Sequence, residues 1–357
     1  MENVTLSPTD PLIAPETAAA RNPAARRLQL AFFLLGSVSL AFIIIRSDPR
    51  RLLAEVTESG WTVPAIVGVY GAVYILNAIA WRMTMMEPPR ISFPRTYVIT
   101  VSAFAMNYLT PFVSIGGEPF KIVAASQWLG PRRGTASVLN FRLVHIQAHV
   151  LVFLSGVVLA FFLLPRDAVG TGALLAIALV LVALGAVVFT IHRRGMMESI
   201  LDFLVKTPGI RRLGGKLEAR REALIEIDEQ LMAFHRDAPL RYYGCIIAEY
   251  AARVLSMLEF FFIARGVGTP VSFPVAFLIG AFSSMIVNFL FFIPFNAGSK
   301  EGGLYFIFHM LGLPARLGVA AAVISRLREL SWIIIGLLLI LATRRRTAGK
   351  ATAHVVS

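Results

Sequence analysis

Long apolar runs separated by short, mostly basic polar stretches set the pattern of this chain. A bilayer core of about 30 Å needs roughly 20 apolar residues per helix. Six runs meet that length as transmembrane helices: Leu28–Ile45, Trp61–Trp81, Thr135–Leu164, Val169–Ile191, Leu240–Ala264 and Arg316–Ala342. Two more apolar regions are interrupted. Tyr97–Leu129 is broken by Pro111 and Gly116-Gly117, and Phe273–Leu313 by Pro294 and the segment Asn296–Gly303. The first run follows Arg26-Arg27, exceeds the length of a signal-peptide core and is followed by Arg46 in place of a small-residue cleavage site, so it reads as a retained span.

Charge placement decides what the interrupted regions do. Arg82, Arg90 and Arg95 precede the first, and Arg132-Arg133 follow it, so with both flanks cytoplasmic it enters and leaves on one side. The second lies between spans that leave and re-enter the cytoplasm, so it begins and ends outside. This arrangement puts 22 of the 34 Lys and Arg in cytoplasmic segments and six outside, as the positive-inside rule asks. The expected fold is an all-α polytopic membrane protein with about six full transmembrane helices. Two re-entrant helical hairpins form an inverted repeat, and both termini lie in the cytoplasm of a bacterial-type inner membrane.

The expected division is a disordered cytoplasmic tail over 1–27, a transmembrane domain over 28–342 and a basic cytoplasmic tail over 343–357. Within the domain, residues 193–241 form a cytoplasmic loop in which Leu217, Leu224, Ile227, Leu231 and Phe234 recur at helical spacing. That pattern predicts an amphipathic helix on the membrane surface, with docking of a lipid-biosynthesis enzyme as the alternative.

Composition agrees: 57% of residues are hydrophobic and only 15% charged, far below the charged share of a soluble domain. The net charge of +13 comes from residues placed between apolar runs, as in cytoplasmic loops, which argues against nucleic acid as a partner. Cys245 is the single cysteine and reads as a small core residue.

The two interrupted regions repeat a constellation. The first reads Asn107-Tyr108-Leu109-Thr110-Pro111-Phe112, then Gly116-Gly117-Glu118; the second reads Asn288 to Pro294-Phe295, then Lys300-Glu301-Gly302-Gly303. The glutamate follows the proline by seven residues in both, and the copies are offset by 183 residues. A Gly-Pro or Gly-x-Pro turn comes next (Gly130-Pro131, Gly312-Leu313-Pro314), then an arginine inside the following span, Arg142 and Arg326. Inverted repeats with broken helices place binding sites near the bilayer midplane, where irregular backbone survives only beside protein or a wet cavity.

Charge at depth marks the candidate site. Glu118, Lys121, Arg142, Glu249, Arg253, Glu259, Lys300, Glu301, Arg326, Arg328 and Glu329 fall in or beside apolar segments. Each would cost about 2.5–3.5 kcal/mol at a helix centre, so they should face inward and pair. Glu249 and Arg253, four apart, suit a local ion pair. Glu118 and Glu301 are expected to pair with Arg142 and Arg326, each with its own or the other's, and the guanidinium groups suit a phosphate head group. The substrate-binding set is Asn107, Gly116, Gly117, Glu118, Lys121, Arg142, Arg253, Lys300, Glu301, Arg326 and Arg328. His145 and His149 share the face of Arg142, but no third ligand stands at a telling spacing, so no metal is expected. No P-loop, dinucleotide fingerprint or nucleophile elbow occurs, and no cofactor or catalytic residue is predicted.

At Asn107–Arg142 and Pro294–Arg326 the chain resembles the lysylphosphatidylglycerol synthase transmembrane (flippase-like) family, over roughly residues 28–342. The second copy departs in having Ser299-Lys300 before its glutamate where the first has Gly-Gly. The resemblance implies the lipid-flipping half of an aminoacyl-phosphatidylglycerol synthase, or a free-standing member associated with hopanoid, isoprenoid or glycolipid pathways. Because the chain ends fifteen residues after its last span, lysyl transfer is not expected. The reading is a lipid translocase or lipid-export component acting on a polar-headed membrane lipid. The alternatives are a scaffold that docks a lipid- or glycan-synthesis enzyme and a membrane-embedded lipid-modifying transferase.

Overall fold

The computed structural model describes residues 60–86, 91–109, 116–164, 167–195, 221–290 and 299–355. Among these, eleven α-helices and no strands are found. The expected first span Leu28–Ile45, the prolines 111 and 294 with the phenylalanines that follow them, and Leu217 lie outside the described residues.

Helix α1 (Thr62–Met83) is followed by a pair, α2 (Phe93–Leu109) and α3 (Gly117–Leu129), and then by the long α4 (Pro131–Leu163). Next come α5 (Ala168–Arg194) and α6 (Arg221–Asp237). The second half repeats the plan: α7 (Pro239–Ser256) and α8 (Leu258–Gly266), the pair α9 (Phe273–Phe289) and α10 (Ser299–Met310), and the long α11 (Ala315–Val355).

Local chemistry sets the ends. Gly130 (φ 78°) and Gly312 (φ 68°) adopt left-handed backbone just before the two long helices, a conformation that glycine takes without steric cost. Pro131 then starts α4, where its missing N–H is harmless. Asp167 caps α5 by accepting from the Gly170 N–H at 2.7 Å. His192, Arg193 and Arg194 crowd its last turn, where positive charge suits the helix dipole.

The halves pack reciprocally. Helix α3 lies along α4 and α10 along α11; α2 packs against α11, and α9 against α4. The fourth residue of each long helix is a glycine pressed against the preceding helix. A Cβ on Gly134 would meet Ser126 Oγ at 2.8 Å, and one on Gly318 would meet the Leu304 carbonyl oxygen at 2.5 Å. Between the halves α1 and α7–α8 run antiparallel. Cys245 donates to the Ala80 carbonyl, Asn77 to Glu249 and Tyr70 to Glu259, and Trp61 meets Phe262 edge-on at 5.7 Å.

Helices α1, α4 and α5 are long and apolar enough to cross a membrane. Only 11% of the apolar window of α5 is buried by protein, with Leu175, Leu179, Val182 and Val187 among its exposed side chains. A helix apolar all round and left uncovered by its own chain is solvated by lipid. The chain is an integral membrane protein.

One expected span differs. Leu240–Ala264 is not one helix but two, because the chain kinks at Met257, whose N–H donates to Val254 and whose carbonyl accepts from Phe260, both three residues away. A Cβ on Gly280 of α9 would collide with the Met257 sulfur, so the glycine leaves room for that side chain. Arg316–Ala342 lies inside the 41-residue α11, and its mid-helix charges Arg326, Arg328 and Glu329 are buried and paired, as expected of charge at depth. Helix α6 buries Leu231 and Phe234 fully, and Ile227, Leu231 and Ala136 share one cluster with Leu139 and Leu143 of α4. Its apolar face is therefore filled by the protein itself, and Arg132 of α4 pairs with Glu226 beside it.

Candidate functional site

Charged side chains collect in two constellations, one per half. The first takes Glu118 and Lys121 from α3, Arg142, His145 and His149 from α4, Glu249 and Arg253 from α7, and Asn77 from α1. Glu249 is fully buried. It accepts from Asn77 Nδ2 at 2.5 Å, lies 2.6 Å from His145 Nδ1 and 3.7 Å from Arg253. His149 stacks edge-on to His145 at 4.6 Å and reaches its carbonyl oxygen at 2.9 Å. These histidines are ordinary interior partners, and no group of three or more metal-ligating side chains occurs among the described residues.

Lys121 is only 7% exposed, yet no carboxylate lies within ion-pair distance of it among the described residues. Its ammonium sits over the Phe141 ring at 4.3 Å and the Trp81 ring at 5.6 Å. Such cation–π contacts favour a desolvated cation by about 2 kcal/mol or more. Glu118, Glu249, Arg142 and Arg253 surround it at longer range. Arg142 is exposed and makes no ion pair among the described residues, so the structure does not join Glu118 to it. One Glu118 oxygen, Oε2, is buried without a hydrogen-bond partner, and so is Nε of Arg253.

The second constellation draws on α8, α10 and α11. Lys300 Nζ lies 2.6 Å from Glu329 Oε1. Arg326 reaches Glu301 at 3.2 Å and Glu329 at 3.3 Å, so the expected glutamate–arginine contact is made in this half. Arg328 grips Glu259 with two contacts at 3.0 Å and covers the Tyr70 ring at 3.7 Å, while the Tyr70 hydroxyl donates to Glu259 at 2.7 Å. Tyr108 of α2 reaches Glu329 from the other hairpin. Bidentate arginine–carboxylate geometry of this kind is among the stronger polar contacts available at depth.

The glycines turn out to serve helix packing. A Cβ on Gly117 would clash with the Ala103 carbonyl oxygen, and its N–H donates to Asn107 Oδ1 at 2.7 Å, so Asn107 and Gly117 clip α3 onto α2. Gly116 is the residue just before α3. In the second hairpin Asn288 instead bonds within its own helix, to the Ser284 carbonyl at 2.8 Å. Glu249, Glu259 and Glu329 stood out by depth without being chosen as site residues, Tyr108 stood in the first motif without a role, and nothing singled out Asn77 and Tyr70. The available signal was polar residues inside the otherwise apolar run Trp61–Trp81.

An all-helical bundle that leaves long apolar helices uncovered while burying opposed charges defines the class of integral membrane proteins. The family model for the lysylphosphatidylglycerol synthase transmembrane region matches residues 28–338, and the chain belongs to that family. No curated protein and no solved structure matches the chain.

Proposed function

We propose that this protein is a lipid translocase or lipid-export component that carries the head group of a polar-headed lipid between its two hairpins. The observation that carries the proposal is the pair of charged constellations set behind hairpins in an otherwise apolar bundle. Intramembrane ionisable groups are expensive and mark substrate pathways. In this reading the hairpins α2–α3 and α9–α10 are re-entrant, the fold sits in a bacterial inner membrane with cytoplasmic termini, and the antiparallel α1 and α7–α8 reflect the inverted repeat. Membership of a lipid-handling family supports the same substrate class. Asn107, Gly116 and Gly117 shape the first hairpin, and Glu118, Lys121, Arg142 and Arg253 form its polar wall. Lys300, Glu301, Arg326 and Arg328 form the opposite wall. Lipid tails stay in the membrane while one half rocks against the other.

The test is reconstitution of the full chain into liposomes containing fluorescent phospholipid, isoprenoid-phosphate or hopanoid-type lipids. Accelerated loss of leaflet asymmetry for one class is expected. Rates equal to empty liposomes for every class overturn the reading, and a new lipid product would place the protein among transferases.

A further inference from the structure

Where α5 ends and α7 begins, α6 lies across the bundle and two histidines meet. His192 belongs to the last turn of α5 and is fully buried; His235 belongs to the last turn of α6. Between them stands Tyr242 of α7, also fully buried, its ring edge-on to His192 at 5.2 Å and to His235 at 4.6 Å. Phe189 of α5 meets His235 edge-on at 5.4 Å, and Phe234 of α6 packs on Tyr242 at 5.8 Å. Three helices are thus interlocked through one aromatic group that contains two titratable rings.

Hydrogen bonding here suits neutral rings. The Tyr242 hydroxyl donates to Gln147 Oε1 of α4 at 2.9 Å, which turns the Gln147 amide nitrogen toward His192 Nδ1 at 3.4 Å. An amide N–H only donates, so Nδ1 accepts and the His192 proton sits on Nε2. A second proton on Nδ1 would set donor against donor. His192 Nε2 and His235 Nδ1 are both buried without a hydrogen-bond partner among the described residues. The surrounding charge does not compensate either. From α5, Arg193 lies over the Phe189 ring at 5.8 Å and repels a proton on His235. From α7, Arg241 is engaged with the carbonyls of Met85 and Met86, and Tyr242 and Tyr243 are neutral phenols. From α4, the neutral Gln147 faces the group. On α6 itself Asp237 is taken up by Arg236 at 2.7 Å. Asp228 packs at Gly195 and is separated from His235 by seven residues, about 10 Å of helix. Burial, and then Arg193, hold the His235 imidazole below its ordinary pKa.

We infer that His192 and His235 form an acid-sensitive latch, which fastens α6 across the ends of α4, α5 and α7 while both rings are neutral and lets it go when they take up protons. The latch goes beyond the proposed function and does not depend on it. Its place gives it a target: Glu249 follows Tyr242 by seven residues on α7, and His145 precedes Gln147 by two on α4, so the latch closes the end of the bundle nearer the first charged group. The sign follows from linkage. A released ring has an ordinary pKa near about 6.5 and the docked ring a lower one, so docking is at full strength above about pH 6.5 and weakens as the pH falls below it. At pH 5.5 a released ring is protonated about ten to one, so each histidine that stays neutral when docked favours release by up to about tenfold.

The experiment is hydrogen–deuterium exchange on the full-length protein in detergent at pH 7.5 and 5.5, with labelling times scaled for the intrinsic pH dependence of amide exchange. Peptides covering 221–237 should lose about tenfold of their protection at the lower pH, as the linkage requires, while peptides of α9 keep theirs. His235→Phe keeps an edge-on ring that cannot charge, and it should remove much of that loss. Adding His192→Gln, whose amide oxygen still accepts from Gln147, should remove the rest. Protection of 221–237 that is the same at both pH values in the parent protein overturns the latch. An equal loss over α9 does so too, because the acid effect is then global. An undiminished loss in the folded double variant has the same force. Should the double variant not fold, His235→Phe alone decides, and acid sensitivity equal to the parent's overturns the proposal.

Discussion

Each hairpin brings one lysine into the bundle, and the two meet different fates. Lys300 ends 2.6 Å from Glu329 inside a network that also holds Arg326 and Arg328. Lys121 ends on the faces of Phe141 and Trp81. The same order of glutamate, turn and arginine therefore builds a closed electrostatic unit in one half and an open one in the other. The lesson is that a repeat in sequence preserves a scaffold, while the few residues that differ, such as Gly117 against Lys300 just before the glutamates, decide what each copy does.

The largest way to sharpen that contrast is to break the closed unit. Glu329→Gln leaves Lys300 and Arg326 buried without their shared carboxylate, and removing one partner of a buried ion pair costs about 3–5 kcal/mol. Thermal unfolding in detergent should show a drop of several degrees. Arg142→Gln in the open half should stay within about 0.5 kcal/mol of the parent, as for an exposed unpaired side chain. Equal losses in the two variants would abolish the distinction between open and closed.

The hairpin packing gives the next effect. Gly117→Ala forces a methyl into the Ala103 carbonyl, and overpacking of this sort costs about 1–3 kcal/mol. Gly302→Ala meets nothing within 4 Å on α10, and replacing a helical glycine by alanine gains up to about 1 kcal/mol. Opposite shifts in melting temperature are expected, and a stabilised Gly117→Ala would show that the first hairpin is not clamped. Smaller again, Asn107→Ala loses its bond to the Gly117 N–H and about 1 kcal/mol, whereas Asn288→Ala changes little because that side chain only re-bonds its own helix. Denaturant titration of the pair resolves the difference. Smallest is Glu226→Gln on α6, an exposed partner of Arg132 worth about 0–1 kcal/mol. Limited proteolysis at 221–237 should be little changed, since the apolar face of that helix is what anchors it.

Much of the fold could be read from the chain because lipid leaves few options: apolar runs must be helices, and glycine before proline must be a turn, as Gly130 and Gly312 are. The site was only partly legible. Glu118 and Glu301 stood out by their equal spacing from a proline, with Arg142 and Arg326 following at 24 and 25 residues, and Glu301 does meet Arg326. Spacing carries no information about what lies across the bundle, so the clasp of Arg328 by Glu259 and Tyr70, separated from it by 69 residues or more, was invisible. The kink at Met257 was missed for a related reason. No proline or glycine marks it locally, and the space for the Met257 side chain is left by Gly280, on another helix.

The turn at Met257 has a further consequence. Glu249 and Arg253 belong to α7 on one side of it, and Glu259 belongs to α8 on the other, so two consecutive helices carry members of both the open and the closed charge groups. The joint between them is one tight turn around Met257, facing a glycine. Glu249 is fastened to Asn77 and Glu259 to Tyr70, and both of those side chains belong to α1. The open and the closed charge groups are thus stitched to one another twice, once through the α7–α8 pair and once through the single helix α1 that runs beside it.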